Sequence, residues 1–93
     1  MPYIKQENRD KFQNILGQLA TMGLSAGEIN YFITAFLHDQ LEGYSELCYV
    51  TIEGAIGVLE CAKLELYRMI AAPYEDKKRK ENGCISNLDG SRE

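Results

Sequence analysis

Apolar residues recur along this chain at the three- and four-residue steps of amphipathic helices. Phe12, Ile15, Leu16, Leu19 and Met22 fall on one face, which predicts a first helix over residues 7–22. Asn8 and Asp10 suit its start, and Gly23 suits its stop. Before it, Pro2, Tyr3 and Ile4 read as an extended lead-in. Ser25-Ala26-Gly27-Glu28 has the form of a capping box. The serine oxygen accepts from the backbone three residues on, and the glutamate reaches back. A second helix follows to residue 42, with Ile29, Phe32, Ile33, Phe36, Leu37 and Leu41 as its apolar face. The link at 23–25 is short, so the two helices should form an antiparallel hairpin.

Gly43 closes the second helix, and residues 43–46 read as a tight loop with Ser45 as the next N-cap. The third helix is predicted over 47–72. Val50, Thr51 and Ile52 favour a strand by propensity, but the helical period runs through them and decides for helix. Pro73 lacks an amide hydrogen, so the helix should stop or kink there. Acids then precede bases, and Asn82-Gly83 closes the stretch. That order complements a helix dipole and predicts a short fourth helix or a kinked extension of the third. The pattern as a whole predicts an all-α fold. A helical hairpin, one long helix and a short C-terminal helix would make a single domain over 1–83, with a flexible polar tail at 84–93.

Cys48, Ile52, Ala55, Leu59, Ala62, Leu66 and Met69 alternate four- and three-residue steps, an a/d heptad register. Gly54 and Gly57 lie in the same helix. Each glycine costs about 1 kcal/mol relative to alanine, so two of them suggest a close-lying backbone. Two readings stand: a core helix inside its own fold, or a seam shared with a second copy. Length favours the seam. Residues 47–72 would span roughly 39 Å, against roughly 24–27 Å for the other two helices. A chain of 93 residues also has a thin core of its own.

Net charge is −4, unevenly spread. Residues 28–65 hold seven acids and one base, Lys63, whereas Lys77 to Lys80 are all basic. A general nucleic-acid binder would show a broad basic face, and this chain does not. The basic run reads as a solvated helix end or as a phosphate patch. Cys48, Cys61 and Cys84 are widely spaced and His38 is the one histidine, so no metal and no cofactor is expected. Reduced thiols suit a cytoplasm. No run is long and apolar enough for a membrane span, and the N-terminus does not read as a signal peptide.

Phosphate-loop, G-x-S-x-G and H-E-x-x-H motifs are absent from the sequence. Cys61 and His38 have no pattern that would make them nucleophile and base, and the expectation is a protein that is not an enzyme. The richest polar cluster holds Glu60, Lys63, Glu65, Tyr67, Arg68, Tyr74, Glu75 and Lys77. It reads either as surface ion pairs or as the lip of a ligand pocket. In the second reading Arg68 and Lys77 meet an anion, and Tyr67 and Tyr74 stack on a base. Asn30 and Tyr31 would join them if the third helix runs back along the second.

Several runs together carry a resemblance. They are Gly27-Glu28-Ile29-Asn30-Tyr31, Gly57-Val58-Leu59-Glu60, Lys63 to Arg68, Pro73-Tyr74-Glu75-Asp76-Lys77-Lys78 and Glu81-Asn82-Gly83, with the opening Met1-Pro2-Tyr3-Ile4. Over about residues 1–85 the chain resembles a small family of unknown function common in tailed bacteriophages. Met69 and Cys84 stand where that family often has arginine and aspartate. The resemblance implies a phage setting and expression in the bacterial host cytoplasm. It leads to the expectation of an oligomeric, non-enzymatic sponge that sequesters a host immune nucleotide signal. The alternatives are an inhibitor or adaptor acting on a host protein, and an accessory part of the phage particle.

Overall fold

The computed structural model describes residues 2–90, and its regular elements are all helical, with no strand among those residues. The chain divides into two units, Met1–Leu59 and Glu60–Glu93.

In the first unit the best-defined start is that of α2, Ala26–Glu42. The Glu28 amide donates to Ser25 Oγ at 3.2 Å, and the Ser25 amide donates to Glu28 Oε1 at 2.9 Å. Both donors would otherwise be orphaned at the helix end. Gly23, at φ +61°, supplies the left-handed residue that turns the chain between helices.

The first helix departs from its expected span. Two 3₁₀ turns, Gln6–Asn8 and Asp10–Phe12, lead into a regular α1 only at Gln13–Ala20. Neither Asn8 nor Asp10 caps it. Lys5, Arg9 and Phe12 hold the cap positions and give no side-chain cap bond. Without a side-chain acceptor the early amides close tighter three-residue turns instead. Arg9 Nε donates to the Ile4 carbonyl at 2.8 Å and ties the lead-in to this segment.

The third helix, α3, spans Tyr49–Leu66, so both of its expected ends move. Its cap is Cys48, not Ser45. The Cys48 amide donates to Thr51 Oγ1 at 3.3 Å, and the Thr51 hydroxyl donates to the Cys48 carbonyl at 2.9 Å. At the other end a π turn, Tyr67–Ala71, follows directly, then α4, Ala72–Asn82. The Ala72 amide donates to the Tyr67 carbonyl, five residues back. Pro73 explains the π turn. In a regular helix its ring would press on the carbonyl four residues earlier. The extra residue opens that turn, and the helix passes the proline instead of stopping.

Apolar residues occupy every side of α3. At 100° per residue, Gly54 and Gly57 lie about 150° round from the Ile52–Leu66 stripe. The structure therefore puts glycines and heptad residues on opposite faces of one helix. A Cβ placed on either glycine would meet nothing within 4 Å. No described residue is buried. Leu19, Leu24, Leu37 and Leu41 in the hairpin are half-buried, as is Ala55 on α3.

Candidate functional site

Tyr67 and Arg68 occupy the first two positions of the π turn, and Tyr74 and Lys77 stand on α4. Tyr67 is 58% exposed and Tyr74 60%. Such turns recur at functional sites because they re-aim side chains that a regular helix would hold in phase. Arg68 does not present a bare guanidinium. It donates from Nη2 to Glu65 Oε1 at 2.6 Å and from Nε to Glu65 Oε2 at 3.3 Å. Glu65 retains only 19% of its side-chain exposure, against 65% for Arg68. The pair is a planar fork whose orientation is fixed and whose charge is largely compensated.

The neighbouring charges pair in the same local way. Lys63 meets Glu60 at 3.0 Å, Lys78 meets Glu81 at 3.3 Å, and Arg79 meets Asp76 at 3.7 Å. Each is an exposed i,i+3 contact worth well under 1 kcal/mol. Lys78 Nζ also lies 5.7 Å from the Tyr74 ring centre. The sequence reading gave Lys77 an anion to meet and gave Lys78 no role, although the i,i+4 spacing of Lys78 to Tyr74 was there to find. Lys77 and Lys80 make no ion pair among the described residues. They carry the uncompensated positive charge of α4.

Past Gly83, residues 84–90 carry their own hydrogen bonds. The Asp89 carboxylate accepts from the Ser86 amide at 2.8 Å and the Ile85 amide at 3.0 Å. These amides hold its pKa below the ordinary aspartate value, the Ile85 bond contributing most. Arg79 Nη1 donates to the Asp89 carbonyl and ties the loop back to α4. Gly90 adopts φ +144°, a backbone conformation that strains any side chain, and a Cβ there would press on Cys84 Sγ at 3.2 Å. Ile85 and Leu88 project from this loop at 89% and 99% exposure. Residues 91–93 of the expected tail lie outside the described residues.

Asn30 and Tyr31 belong to α2, in the first unit. Asn30 Oδ1 accepts from the Thr34 hydroxyl at 3.2 Å. Tyr31 is 74% exposed and borders two hollows. One, of about 260 Å³, also contains Thr34, His38 and Asp39. The other, of about 450 Å³, lies between the α1–α2 link and α2 and includes Leu19, Met22, Leu24, Glu28 and Phe32. Leu19 and Phe32 also wall a third hollow of about 400 Å³, which extends past Phe12, Leu16 and Phe36 to Ile4 and Arg9. The sequence marked these residues as core faces but gave no sign that a trough remains between them. Phe32 and Phe36 stack within it, their ring centres 6.4 Å apart.

Of the expected seam, Ile52, Ala55, Leu59, Ala62 and Leu66 lie on α3, while Met69 lies in the π turn and leaves the strict register. Cys48 precedes the helix. The Thr51 amide, followed by the Thr51 hydroxyl, holds the Cys48 thiol below its ordinary pKa. No helix among the described residues is long and apolar enough to cross a membrane.

Residues 1–85 match the model of a domain of unknown function, DUF6899. No curated protein and no solved structure matches the chain.

Proposed function

The chain belongs to the DUF6899 family, a domain of unknown function, and we propose that it works as a non-enzymatic, self-assembling binding protein encoded by a phage. Its cargo in this reading is a host immune nucleotide signal, such as a cyclic nucleotide or an ADP-ribose derivative, sequestered in pockets between subunits. The observation that carries the reading is the absence of any buried residue among those described, together with an α3 apolar on all sides. A helix hydrophobic all round belongs in the interior of something larger. The α3 stripe and the glycine face opposite it are two surfaces for that assembly. The phage setting comes from the resemblance in the motifs at residues 27–31, 57–68 and 73–83.

The polar side chains support a ligand at the C-terminal part. Tyr67 and Tyr74 offer ring faces for a base. Lys77 and Lys80 offer uncompensated charge for phosphate, and Arg68 offers an oriented fork that must be drawn from Glu65. Asn30 and Tyr31 would line the same pocket from another subunit. Calorimetry against a panel of cyclic di- and trinucleotides and ADP-ribose derivatives tests this. Binding is expected with one class, weakened at least tenfold by Tyr74→Ala and by Lys77→Ala. No binding to any member, with no nucleotide released by heating the purified protein, would overturn it.

A second reading has its own support. Because Arg68 is already compensated and the hairpin trough is almost wholly apolar, the surface also suits a protein partner. An inhibitor or adaptor acting on one host protein would then be recovered at fixed stoichiometry from host lysate.

A further inference from the structure

The α1–α2 hairpin carries two open hollows on its apolar side. The two hollows share Leu19 and Phe32, so they are one continuous trough. Its charged groups stand at opposite ends. Glu28 is at the end near the interhelical link, and Arg9 is at the lead-in end. Arg9 uses Nε on the Ile4 carbonyl, and Glu28 uses Oε1 on the Ser25 amide. Among the described residues no hydrogen bond or ion pair engages the Arg9 terminal nitrogens or Glu28 Oε2.

Area decides whether one contact is enough. The chain exposes 8472 Å². A folded monomer of 10.5 kDa exposes roughly 5,400 Å². A standard interface covers about 800 Å² per partner, so a single contact on α3 does not reach the hairpin trough.

We infer that a second copy of this chain covers the trough, its own hairpin laid face to face and antiparallel across it. The two copies then share a four-helix core, the arrangement in which amphipathic hairpins bury their faces. A two-fold axis near Leu19 and Phe32 brings Arg9 of each copy to Glu28 of the other, so the surface is complementary to itself in charge as well as in apolarity. Phe36 and Leu16 of one copy fill the trough of the other. The inference rests on the reading of the chain as a self-assembling protein, but it names a contact separate from α3.

The test measures the mass of the full-length chain by light scattering, with helicity read by circular dichroism. Phe36→Asp is expected to lower the assembly mass, and Leu59→Asp, on α3, is expected to leave a dimer held by the hairpins. Unchanged mass in Phe36→Asp, or a helical monomer from Leu59→Asp, overturns the hairpin contact. A Leu59→Asp variant with wild-type mass instead overturns the α3 reading alone. Charge reversal keeps the inference testable if those variants unfold. Arg9→Glu and Glu28→Lys should each weaken association several-fold, and the double variant should regain it, although both Glu28→Lys proteins have lost the same cap. No recovery in the double variant overturns the pairing.

Discussion

The hairpin and the π turn–α4 segment solve opposite problems. In the hairpin the apolar faces of α1 and α2 leave a trough that neither helix fills. In the C-terminal segment Arg68, Asp76, Lys78, Arg79 and Glu81 each have a partner within one turn, and the loop after Gly83 is closed by Asp89 and Arg79. One region leaves an apolar surface unfilled. The other is organised by local polar bonds. In the proposed function the two regions would divide the work: the apolar trough for assembly, the polar helix for presenting side chains.

The largest effect should come from dilution. If the hairpin is completed by association, its melting temperature will rise with protein concentration across the micromolar range. Helicity at 73–82 should vary less. A concentration-independent melt would erase the difference between the regions. Next, Pro73→Ala removes the ring that the π turn accommodates. The stretch should close to regular α-helix, gaining up to about 3 kcal/mol. Closure would rotate Tyr67 and Arg68 by about 100° relative to Tyr74. Amide exchange and backbone chemical shifts at 66–74 would report it. Ser25→Ala should then cost the hairpin about 1 kcal/mol in a denaturant melt. Leaving α4 unaffected would confirm that the cost is local.

The smallest effect concerns pH. Asp89 has a lowered pKa, so its bonds to the Ile85 and Ser86 amides strengthen folding only while it is ionised. That contribution is present above the unfolded value of about 3.9 and disappears as pH falls through the lower folded value. Exchange at the Ile85 and Ser86 amides should therefore quicken in acid, and Asp89→Asn should show the quicker exchange already at neutral pH. Glu28 is lowered in the same direction by its bonds to Ser25, the backbone one first, so the start of α2 should loosen in the same acid range.

Which parts were legible follows from the range of the interactions. The α2 cap was readable because Ser25 and Glu28 carry it within four residues, in a familiar pairing. The α3 cap was not, because Cys48 and Thr51 do the same work with a thiol and a hydroxyl that no common signature records. Pro73 announced a disturbance correctly. Whether the helix would stop or widen depended on the backbone of the preceding turn, which side-chain identity does not encode. The pairing of Glu65 with Arg68 was visible in their spacing. The bond from Arg79 to Asp89 joins residues ten apart through a loop and left no periodic trace. The glycines were seen, but their face was not, because it emerges only when residues 50–66 are wound at 100° per residue.

The π turn at Tyr67–Ala71 is in effect a surplus residue already inserted into a helix that continues on both sides. Ordinary helices resist insertions and deletions, since one residue re-phases everything downstream. Here that phase change sits between an apolar rod and a polar one, so the two can drift in length and sequence without misaligning each other. Single-residue insertions and deletions scanned along residues 49–82 should accordingly be tolerated best at this turn. It is the joint at which relatives of different helix length would be expected to differ.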